Sequence, residues 1–522
     1  MLIAKSPVSI SFGGEGTDLK PFCDNYGGAV ISTTIDKYFY SVIQSNDKDI
    51  IEIESDDYQL RQRVSELCDI DTDDILMIPK AVLKHFNVTN NVSLLLKSDI
   101  PPGSGLGLSA AVTTCLVKLV SSFRQLSLTK AEIAALASYI EIDVLNRSIG
   151  MQAQYASAYG GFNFITFGKD SINVAPMGVD REIINALQEN LLLFYSVTCR
   201  KPASILTNPT EMNDKKVISS LQEMKAIAFK MRDALVKGDV MAVGRLLHES
   251  WEYKRTLAKD ISNTAIDSYY ELARQNGAIG GKITGAGGGH LLLFCEKEKQ
   301  ENVRNALLSK GLHDLPFKFE NNGAHLVLDQ KGPRTTITAE GYLLGISTIV
   351  KKMDDAHIER IADLIYQAYK QDKQIFIMGN GGSAATASHF CSDLSKTAMV
   401  HGKRGFRVIS LTDNIPLMTA WGNDTGYENI FYGQLLNLLN AGDVVIGISG
   451  GGMSKNVLKA LELAKARSAV TIGLSGFSGG KLKAIADECL VVHSENYQFI
   501  EDIHMMLAHL IPSILKEKIT NE

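Results

Sequence analysis

Residues 99–111, DIPPGSGLGLSAA, are the stretch that does most to decide the fold of this chain. Two prolines stiffen the entry, and three glycines permit positive φ and a close approach of the backbone. Ser104 and Ser109 add hydroxyl donors, and a helix opens directly behind the loop. Such a loop directs backbone N–H groups and the positive end of a helix at one point, so it predicts a site for nucleotide phosphates.

Two further glycine-rich stretches lie on either side of this loop. Residues 277–290, GAIGGKITGAGGGH, contain more glycine than ordinary packing favours, because glycine costs about 1 kcal/mol where order is required. A loop that passes close to a ligand or to another loop explains this density. Residues 13–18, GGEGTD, place Glu15 and Asp18 at a tight turn. Their carboxylates could accept hydrogen bonds from sugar hydroxyls, and a solvated turn is the alternative.

Length and composition exclude several classes of protein. The 522 residues are 45% hydrophobic and 21% charged with a net charge of −5, which is typical of a multidomain globular protein and offers no broad basic surface for nucleic acid. The seven cysteines form no CxxC pair, so neither a disulfide framework nor a zinc ribbon is predicted. The start of the chain does not resemble a signal peptide, and no apolar run reaches the ~18 residues of a membrane span. We expect a cytoplasmic enzyme that binds neither nucleic acid nor membrane.

The pattern of the chain changes over residues 331–345, which we assign to a linker between a first domain, 1–330, and a second domain, 346–522. Strands and helices mix without a simple rhythm in the first domain. In the second, a helix predicted over Val350–Tyr369 is followed by regularly alternating strands and helices. This alternation predicts a parallel, doubly wound α/β sheet.

Two predicted strands of the second domain each run into a glycine turn and then into a helix. The turns are residues 379–385, GNGGSAA, and 449–454, SGGGMS. A turn of this kind forms an anion cradle at the carboxyl end of a parallel strand, and Ser383 adds a hydroxyl donor. Two cradles on neighbouring strands could hold one sugar phosphate. Two ordinary tight turns are the alternative.

Acidic residues and histidines recur at helical spacing in the same domain. His389 and Asp393 are four residues apart, and Glu501 and His509 fall within about 80° of each other on the last helix. A single histidine is more often a core residue, but two such pairs favour a function. One carboxylate and one acid could move the proton that interconverts a ketose and an aldose, or the residues could bind Zn²⁺.

The glycine stretches of the first domain, in this order, resemble the motifs of the GHMP small-molecule kinases. CRKPASIL, LLHESWEYKR, DISNTAID and the segment that begins GGEGTDLKPF are similar to D-glycero-D-manno-heptose 7-phosphate kinases, so the resemblance covers about residues 1–330. It implies a two-lobed α+β fold and transfer of the γ-phosphoryl group of ATP, with Mg²⁺, to the anomeric hydroxyl at C1. It also implies residues for the triphosphate or metal, namely Ser104, Gly105, Gly107, Ser109, Gly285 and Gly287, and sugar contacts at Glu15, Asp18 and Arg200.

Several positions depart from these kinases. Ser9 replaces a usual arginine, and residues 150–155 read GMQAQY where GKQDQY is usual, which brings in Met151 and Ala153. The aspartate lost at 153 orients or deprotonates the attacking hydroxyl in many relatives, and alanine can do neither. Phosphoryl transfer depends mostly on positioning and charge neutralisation, so an active kinase and a degenerate module both stay open. Glu15 replaces a usual glycine and is similar to the GEHTD of galactokinases, which leaves the sugar open.

GNGGSAATASHFCSDL, GDVVIGISGGGMSKNVLKAL and FIEDIHMMLAHLI resemble the SIS-domain phosphoheptose isomerases, over about residues 340–522. The resemblance implies a SIS-type α/β sandwich, conversion of sedoheptulose 7-phosphate to D-glycero-D-manno-heptose 7-phosphate, and assembly into a homo-oligomer. It implies Asp393 as base and His509 as acid, with Glu501 also in the catalytic set. The implied substrate contacts are Asn380, Ser383, Asp424, Ser449 and Ser454, and the implied zinc ligands are His389, Asp393, Glu501 and His509.

This second resemblance also has departures. Asp393 is one methylene shorter than the usual glutamate, and Glu501 replaces a usual glutamine. Gly450 and Gly451 stand where threonine and serine are common, which removes two hydroxyl donors. We expect such changes to shift substrate preference or metal affinity.

The implied isomerase product is the implied kinase substrate, so our leading interpretation is a bifunctional heptose-phosphate isomerase and kinase. It would supply nucleotide-activated heptose for a surface polysaccharide. Two alternatives stay open. One is an isomerase with a degenerate or differently specific kinase module. The other is a sugar-phosphate sensor, because SIS domains also serve regulators.

Overall fold

The computed structural model describes residues 1–46, 48–64, 67, 74–103, 105–195, 214–258, 261–285, 289–329 and 336–522. The chain divides into two compact units, Met1–Ile337 and Thr338–Glu522. In the described part of the chain, no helix is both long enough and apolar enough to cross a bilayer.

The first unit combines strands and helices around two sheets. Its strands are β1 (Leu2–Gly13), β2 (Gly28–Ser45), β3 (Ile51–Ser55), β4 (Leu60–Val64), β5 (Val92–Ser98), β6 (Asn163–Phe167), β7 (Ile172–Pro176), β8 (Leu191–Tyr195), β9 (Ala278–Ile283), β10 (His290–Cys295), β11 (His313–Asp314), β12 (Phe319–Glu320), β13 (His325–Asp329) and β14 (Thr336–Ile337). Its helices are α1 (Lys20–Tyr26), α2 (Met77–His85), α3 (Leu108–Phe123), α4 (Lys130–Tyr139), α5 (Gln152–Tyr159), α6 (Arg181–Glu189), α7 (Lys215–Val236), α8 (Val240–Leu257), α9 (Thr264–Gln275) and α10 (Gln300–Leu308).

The larger sheet of this unit has the strand order β14-β13-β1-β2-β5-β3-β4, with β12 and β6 also paired to β2 and with β7 paired to β6. The smaller sheet has the antiparallel order β11-β8-β10-β9. Helix α3 buries its apolar residues, Leu116 and Val120 among them, in the same core as Ile10 of β1 and Ile31 of β2. The sheet therefore positions the start of α3, where the glycine loop of residues 99–111 ends.

The second unit is a layered α/β fold. Its strands are β15 (Gln374–Gly379), β16 (Arg407–Ser410), β17 (Val444–Ser449), β18 (Val470–Gly476) and β19 (Glu488–Val492). Its helices are α11 (Ala339–Val350), α12 (Asp355–Lys370), α13 (Gly382–Ser392), α14 (Ile415–Thr425), α15 (Tyr432–Leu438), α16 (Lys455–Ala466), α17 (Gly480–Ile485) and α18 (Tyr497–Thr520).

All strand pairs of this sheet are parallel, in the order β16-β15-β17-β18-β19. Every residue of the central strand β17 is buried, as expected where helices cover both faces of a sheet. The prediction of a parallel, doubly wound sheet is confirmed. The carboxyl ends of β15 and β17, which are neighbours, carry the two glycine turns of residues 379–385 and 449–454.

The helix predicted over Val350–Tyr369 is wrong at its start. Val350 ends α11, and α12 begins at Asp355, where the Asp354 side chain accepts a hydrogen bond from the backbone N–H of Ala356. This cap satisfies one of the free N–H groups of the first turn, so it favours a new helix over a continuous one. Residues 339–345, which the sequence analysis assigned to the linker, form the first turns of α11.

Candidate functional site

The turn after β15 has the geometry of an anion cradle. Gly381 has a φ of 55°, a left-handed value that favours glycine, and α13 begins at the next residue. Ser383 lies buried in the first turn of that helix. The N-terminus of α13 therefore opens directly at the end of β15, where free N–H groups and the helix dipole favour a negative charge.

The turn after β17 lies beside the first one and is hydrogen-bonded to it. The hydroxyls of Ser449 and Ser454 are 3.0 Å apart. Asn380, from the β15 turn, and Asn456, from the start of α16, exchange two amide hydrogen bonds of 2.9 and 2.8 Å. Tyr427 donates a third hydrogen bond, of 3.1 Å, to the amide oxygen of Asn380. The amides thus join the two cradles into one polar site.

Asp424 takes no part in this network. It is exposed near the end of α14 and accepts a hydrogen bond of 2.9 Å from the Asn423 amide. Its proposed contact with substrate has no support in this arrangement.

A second feature of the unit is a group of two imidazoles and a carboxylate. The Nδ1 atom of His509 lies 2.9 Å from Oδ2 of Asp393, and Nε2 of His389 lies 3.9 Å from the same oxygen. The two imidazole rings are 4.5 Å apart between centroids, in an edge-to-face arrangement. One ligand atom from each residue lies within 4.8 Å of the others, so a modest closure would let all three bind one ion. Two histidines and one carboxylate also form a donor set that zinc accepts.

Local backbone geometry brings Asp393 to this group. The α-helical pattern of α13 ends at Ser392, and residues Asp393–Thr397 form a π-helical segment. Such segments change the direction in which side chains leave a helix, and they are frequent at functional sites. Thr397 donates a 3.0 Å hydrogen bond to the other oxygen of Asp393, which holds the carboxylate while Oδ2 faces His509.

Glu501 does not join the other three residues of the predicted metal set. Its carboxylate lies against Gly382, at the start of α13, whereas His509 lies at the end of that helix beside Asp393. The two helices run in the same direction here, and eight residues of helix rise by about 12 Å. Glu501 and His509 are therefore close in angle around the helix axis but far apart along it. The prediction of Glu501 as a metal ligand is therefore not supported by the geometry.

In the first unit, the glycine loop of residues 99–111 meets the loop of residues 277–290. Gly105 and Gly107 have φ values of 76° and 69°, and Gly107 immediately precedes α3. A methyl group on Gly285, whose φ is 67°, would lie 2.6 Å from the carbonyl oxygen of Gly105. The glycines therefore permit a backbone-to-backbone contact between the two loops. Ser104, Gly287 and Arg200, three further predicted site residues, lie outside the described residues.

Ser109 has a neighbour that the sequence analysis missed. Its hydroxyl donates a hydrogen bond to Glu141, which is fully buried in the π-helical segment Ile140–Val144. Arg147 donates to both residues over 2.7 Å, and the Gln154 amide donates to Glu141 over 3.0 Å. A buried carboxylate and a hydroxyl at the mouth of a phosphate loop are oxygen ligands of the kind that Mg²⁺ prefers.

Asp18 and Glu15 have different surroundings. Asp18 is buried and accepts hydrogen bonds from the backbone N–H groups of Gly16, at 3.1 Å, and Gln152, at 2.9 Å. Burial raises the pKa of Asp18; these hydrogen bonds oppose the shift, and the nearby Glu15 charge adds to it. Asp18 is therefore held at the N-terminus of α5, beside Ala153.

Glu15, which was predicted to contact a sugar, is instead part of a buried ion-pair cluster. Its carboxylate lies 2.5 Å from the Lys254 ammonium and 2.9 Å from the Lys282 ammonium, and all three side chains are buried. Burial alone would raise the pKa of Glu15, but the two ammonium groups outweigh it and the pKa is lowered. Lys254 also donates to the carbonyls of Ile283 and Gly285, each over 2.8 Å. Glu15 thus joins the first glycine turn to the third loop, and the two lysines occupy the oxygens proposed for a sugar.

Two of the departures from the kinase pattern lie at one place. A methyl group on Gly107 would lie 2.9 Å from the Ser9 hydroxyl and 3.1 Å from Cβ of Ala153. Met151, the third departure, is 7% exposed and packs in the main core of the unit. Ser9 and Ala153 therefore flank the phosphate loop together, while Met151 is a core residue.

Comparisons with known proteins assign each unit to a family. Residues 75–161 match the GHMP kinases N terminal domain, residues 231–313 match the GHMP kinases C terminal family, and residues 342–476 match the SIS domain. The D-glycero-alpha-D-manno-heptose 7-phosphate kinase of Campylobacter jejuni is 29% identical over 333 residues, which are 61% of this chain and 96% of that protein.

Two further relatives extend this result. The phosphoheptose isomerase of Nitratiruptor sp. is 40% identical over 161 residues, which are 31% of this chain and 86% of that protein. The crystal structure of a D-glycero-D-manno-heptose 1-phosphate kinase from Bacteriodes thetaiotaomicron aligns with a TM-score of 0.53 at 29% identity. That alignment covers 62% of this chain and 98% of the other chain.

Proposed function

Because the chain belongs to the phosphoheptose isomerase family through its second unit and carries GHMP kinase domains in its first, we propose that it acts on one heptose phosphate twice. The second unit converts sedoheptulose 7-phosphate to D-glycero-D-manno-heptose 7-phosphate. The first unit phosphorylates that product at C1 with ATP. Such a cytoplasmic enzyme would supply nucleotide-activated heptose for a surface polysaccharide.

The observation that carries the isomerase proposal is the convergence of His389, Asp393 and His509. Converting a ketose to an aldose moves one proton between adjacent carbons and a second proton between their oxygens. Asp393 is the base that takes the carbon-bound proton, and His509, hydrogen-bonded to it, serves the oxygens. In the alternative arrangement, His389, Asp393 and His509 would hold a Zn²⁺ ion in place of the hydrogen bond between Asp393 and His509, and the ion would stabilise the negative charge that develops on those oxygens.

The phosphate of this substrate would lie at the two joined turns. The N-terminus of α13 and the hydroxyls of Ser383, Ser449 and Ser454 supply donors to its oxygens. The amide pair of Asn380 and Asn456 keeps the two turns together, so the donors are oriented before the ligand arrives.

For the kinase step, the residues fit ATP and Mg²⁺. The loop that ends at Gly107 and the start of α3 would hold the triphosphate, and Ser109 with Glu141 would hold the metal ion. Asp18 would accept a hydrogen bond from a sugar hydroxyl. When bound there, Mg²⁺ would supply positive charge beside the transferred phosphoryl group.

Product identification tests the proposal. Purified full-length protein is incubated with sedoheptulose 7-phosphate, with or without ATP and Mg²⁺, and followed by ³¹P NMR. We expect an aldose 7-phosphate without ATP and a heptose 1,7-bisphosphate with it. An unchanged ketose would contradict the isomerase, and the monophosphate alone in the presence of ATP would contradict the kinase step.

The joint position of Ser9 and Ala153 favours a second candidate function, an isomerase with a degenerate kinase module. The double substitution Ser9→Arg with Ala153→Asp tests it, because a working kinase should gain from the restored residues and a degenerate module should not. The arginine is included to neutralise the new carboxylate beside the phosphates. We expect the rate of phosphoryl transfer to rise at least about tenfold, since a positioned base contributes about 10²–10⁴-fold in other enzymes. The rate is measured as ADP released from heptose 7-phosphate.

The single Ala153→Asp change is the matched comparison, and we expect a smaller gain from it because its charge has no partner. Met151 is left unchanged, since a lysine there would place a charge in the core. A folded double variant that phosphorylates no faster than the natural protein would support the degenerate module.

A further inference from the structure

Gly450 and Gly451 lie in the turn that would hold the substrate phosphate, and their backbone does not explain why they are glycines. Gly452, the next residue, has a φ of 65° and needs to be glycine for that reason. Gly450 and Gly451 have no such left-handed φ, so other residues could adopt their conformation. The turn is also well held, because the carbonyl of Gly450 accepts a 2.8 Å hydrogen bond from the N–H of Gly476. The reason for the two glycines must lie in the space around them.

That space is occupied by Tyr497. A Cβ atom on Gly450 would lie 3.1 Å from Cδ1 and 3.2 Å from Cε1 of the tyrosine ring. A Cβ atom on Gly451 would lie 3.2 Å from the tyrosine hydroxyl oxygen. These separations are shorter than the 3.5–4.0 Å at which carbon atoms pack best. The ring therefore lies close to both glycines, and a side chain at either position would require it to shift by a few tenths of an ångström.

The position of the ring is set by its surroundings. Tyr497 is the first residue of α18, whose N-terminus is capped by the Asn496 side chain. Phe477 packs edge-to-face against the ring, with centroids 5.0 Å apart. Tyr497 is 53% exposed, and no group in the described part of the chain is hydrogen-bonded to its hydroxyl. The hydroxyl is therefore placed at the turn and open to a ligand.

We propose that the Tyr497 hydroxyl donates a hydrogen bond to the substrate phosphate in the isomerase site. It would replace the hydroxyl donors that Gly450 and Gly451 cannot supply. The two glycines and the tyrosine then form one matched unit, in which the aromatic ring lies where smaller hydroxyl side chains would stand. A phenol O–H donates a hydrogen bond to a phosphate oxygen as a serine hydroxyl does. This inference rests on the proposed isomerase function for the identity of the phosphate ester.

The test removes the hydroxyl and keeps the ring, with Tyr497→Phe in the full-length protein. We expect the KM for sedoheptulose 7-phosphate to rise about tenfold or more, the effect of one hydrogen bond to a charged group, with kcat changed less than about twofold. The Kd for inorganic phosphate, measured by calorimetry, rises by a similar factor. Tyr366→Phe, on α12, is the matched control and changes neither value.

A second pair of variants separates a ligand contact from mere packing. Gly451→Ser alone should weaken phosphate binding, because its Cβ crowds the Tyr497 hydroxyl. In the Tyr497→Phe background the same substitution should restore most of the lost affinity, because the oxygen that it crowded has gone and a hydroxyl has returned. Equal effects of Gly451→Ser in both backgrounds would overturn the proposal.

The calorimetric measurement keeps this inference distinct from the proposed function. If the natural protein binds inorganic phosphate and Tyr497→Phe weakens that binding, but sedoheptulose 7-phosphate is not converted, the isomerase proposal fails and the role of Tyr497 stands. If Tyr497→Phe leaves both the KM and the phosphate Kd unchanged, or if the natural protein binds no phosphate, the role of Tyr497 is refuted.

Discussion

Replacing Asp393 with asparagine should lower the kcat of the isomerase by about 10³-fold, within the range that a positioned acid or base contributes. The amide oxygen of asparagine can still accept the hydrogen bond that His509 donates, so the group should keep its arrangement. What disappears is the negative charge that takes the proton. The measurement is the rate of aldose 7-phosphate formation from sedoheptulose 7-phosphate.

Two controls accompany this substitution. Asp502→Asn makes the same change on α18, where the carboxylate is bonded to Tyr342 instead of the histidine group, and should leave the rate within about twofold. ATP-dependent phosphorylation of supplied heptose 7-phosphate should be unaltered in Asp393→Asn, since that reaction belongs to the first unit. If the Asp393→Asn enzyme keeps a tenth or more of the natural isomerase rate, Asp393 is not the base that takes the carbon-bound proton.

Replacing Glu15 with glutamine should lower the free energy of unfolding of the first unit by about 3–5 kcal/mol, the usual cost of removing one member of a buried ion pair. The carboxylate carries one negative charge against the two positive charges of Lys254 and Lys282. Glutamine keeps the shape but leaves two ammonium groups without a counter-charge. Denaturant unfolding followed by tryptophan fluorescence measures the loss, in a Trp421→Phe background that leaves Trp251, a buried residue of the same unit, as the reporter.

Comparison variants make this result specific. Lys282→Met leaves one carboxylate with one ammonium, so it should cost less than Glu15→Gln. Burial lowers the pKa of Lys282 to about 8, because the ammonium loses its hydration in the core. Glu252→Gln, at an exposed position on α8, should change the stability by less than about 0.5 kcal/mol. A Glu15→Gln protein as stable as this last variant would refute the claim that the Glu15 carboxylate stabilises the buried ammonium groups of Lys254 and Lys282.

The glycine turns were the part of the candidate site that the sequence predicted best. A strand, a glycine turn and a helix start follow one another within about ten residues, so the whole cradle is visible in one stretch of sequence. The parallel order of β15 and β17 then brings the turns together without further information. The same holds for His389 and Asp393, four residues apart on one helix.

Contacts between distant stretches could not be predicted in this way. Glu15 and Lys254 are 239 residues apart, and each alone resembles an ordinary surface charge. Glu141 carried no distinct signal, because Asp143 is a second acidic residue in the segment Ile140–Val144, and only the structure shows that Glu141 is the buried one. Tyr497 carried none, because only its approach to Gly450 and Gly451 reveals a role. Each of these pairs depends on tertiary packing.

The amide pair between the two turns has a consequence for the pH dependence of phosphate binding. Asparagine, serine and tyrosine side chains do not ionise in water near neutrality, and neither does a backbone N–H group. The protein groups that bind the phosphate ester thus keep the same charge near neutral pH. Any change in affinity there would come from the second ionisation of the phosphoryl group itself, near pH 6.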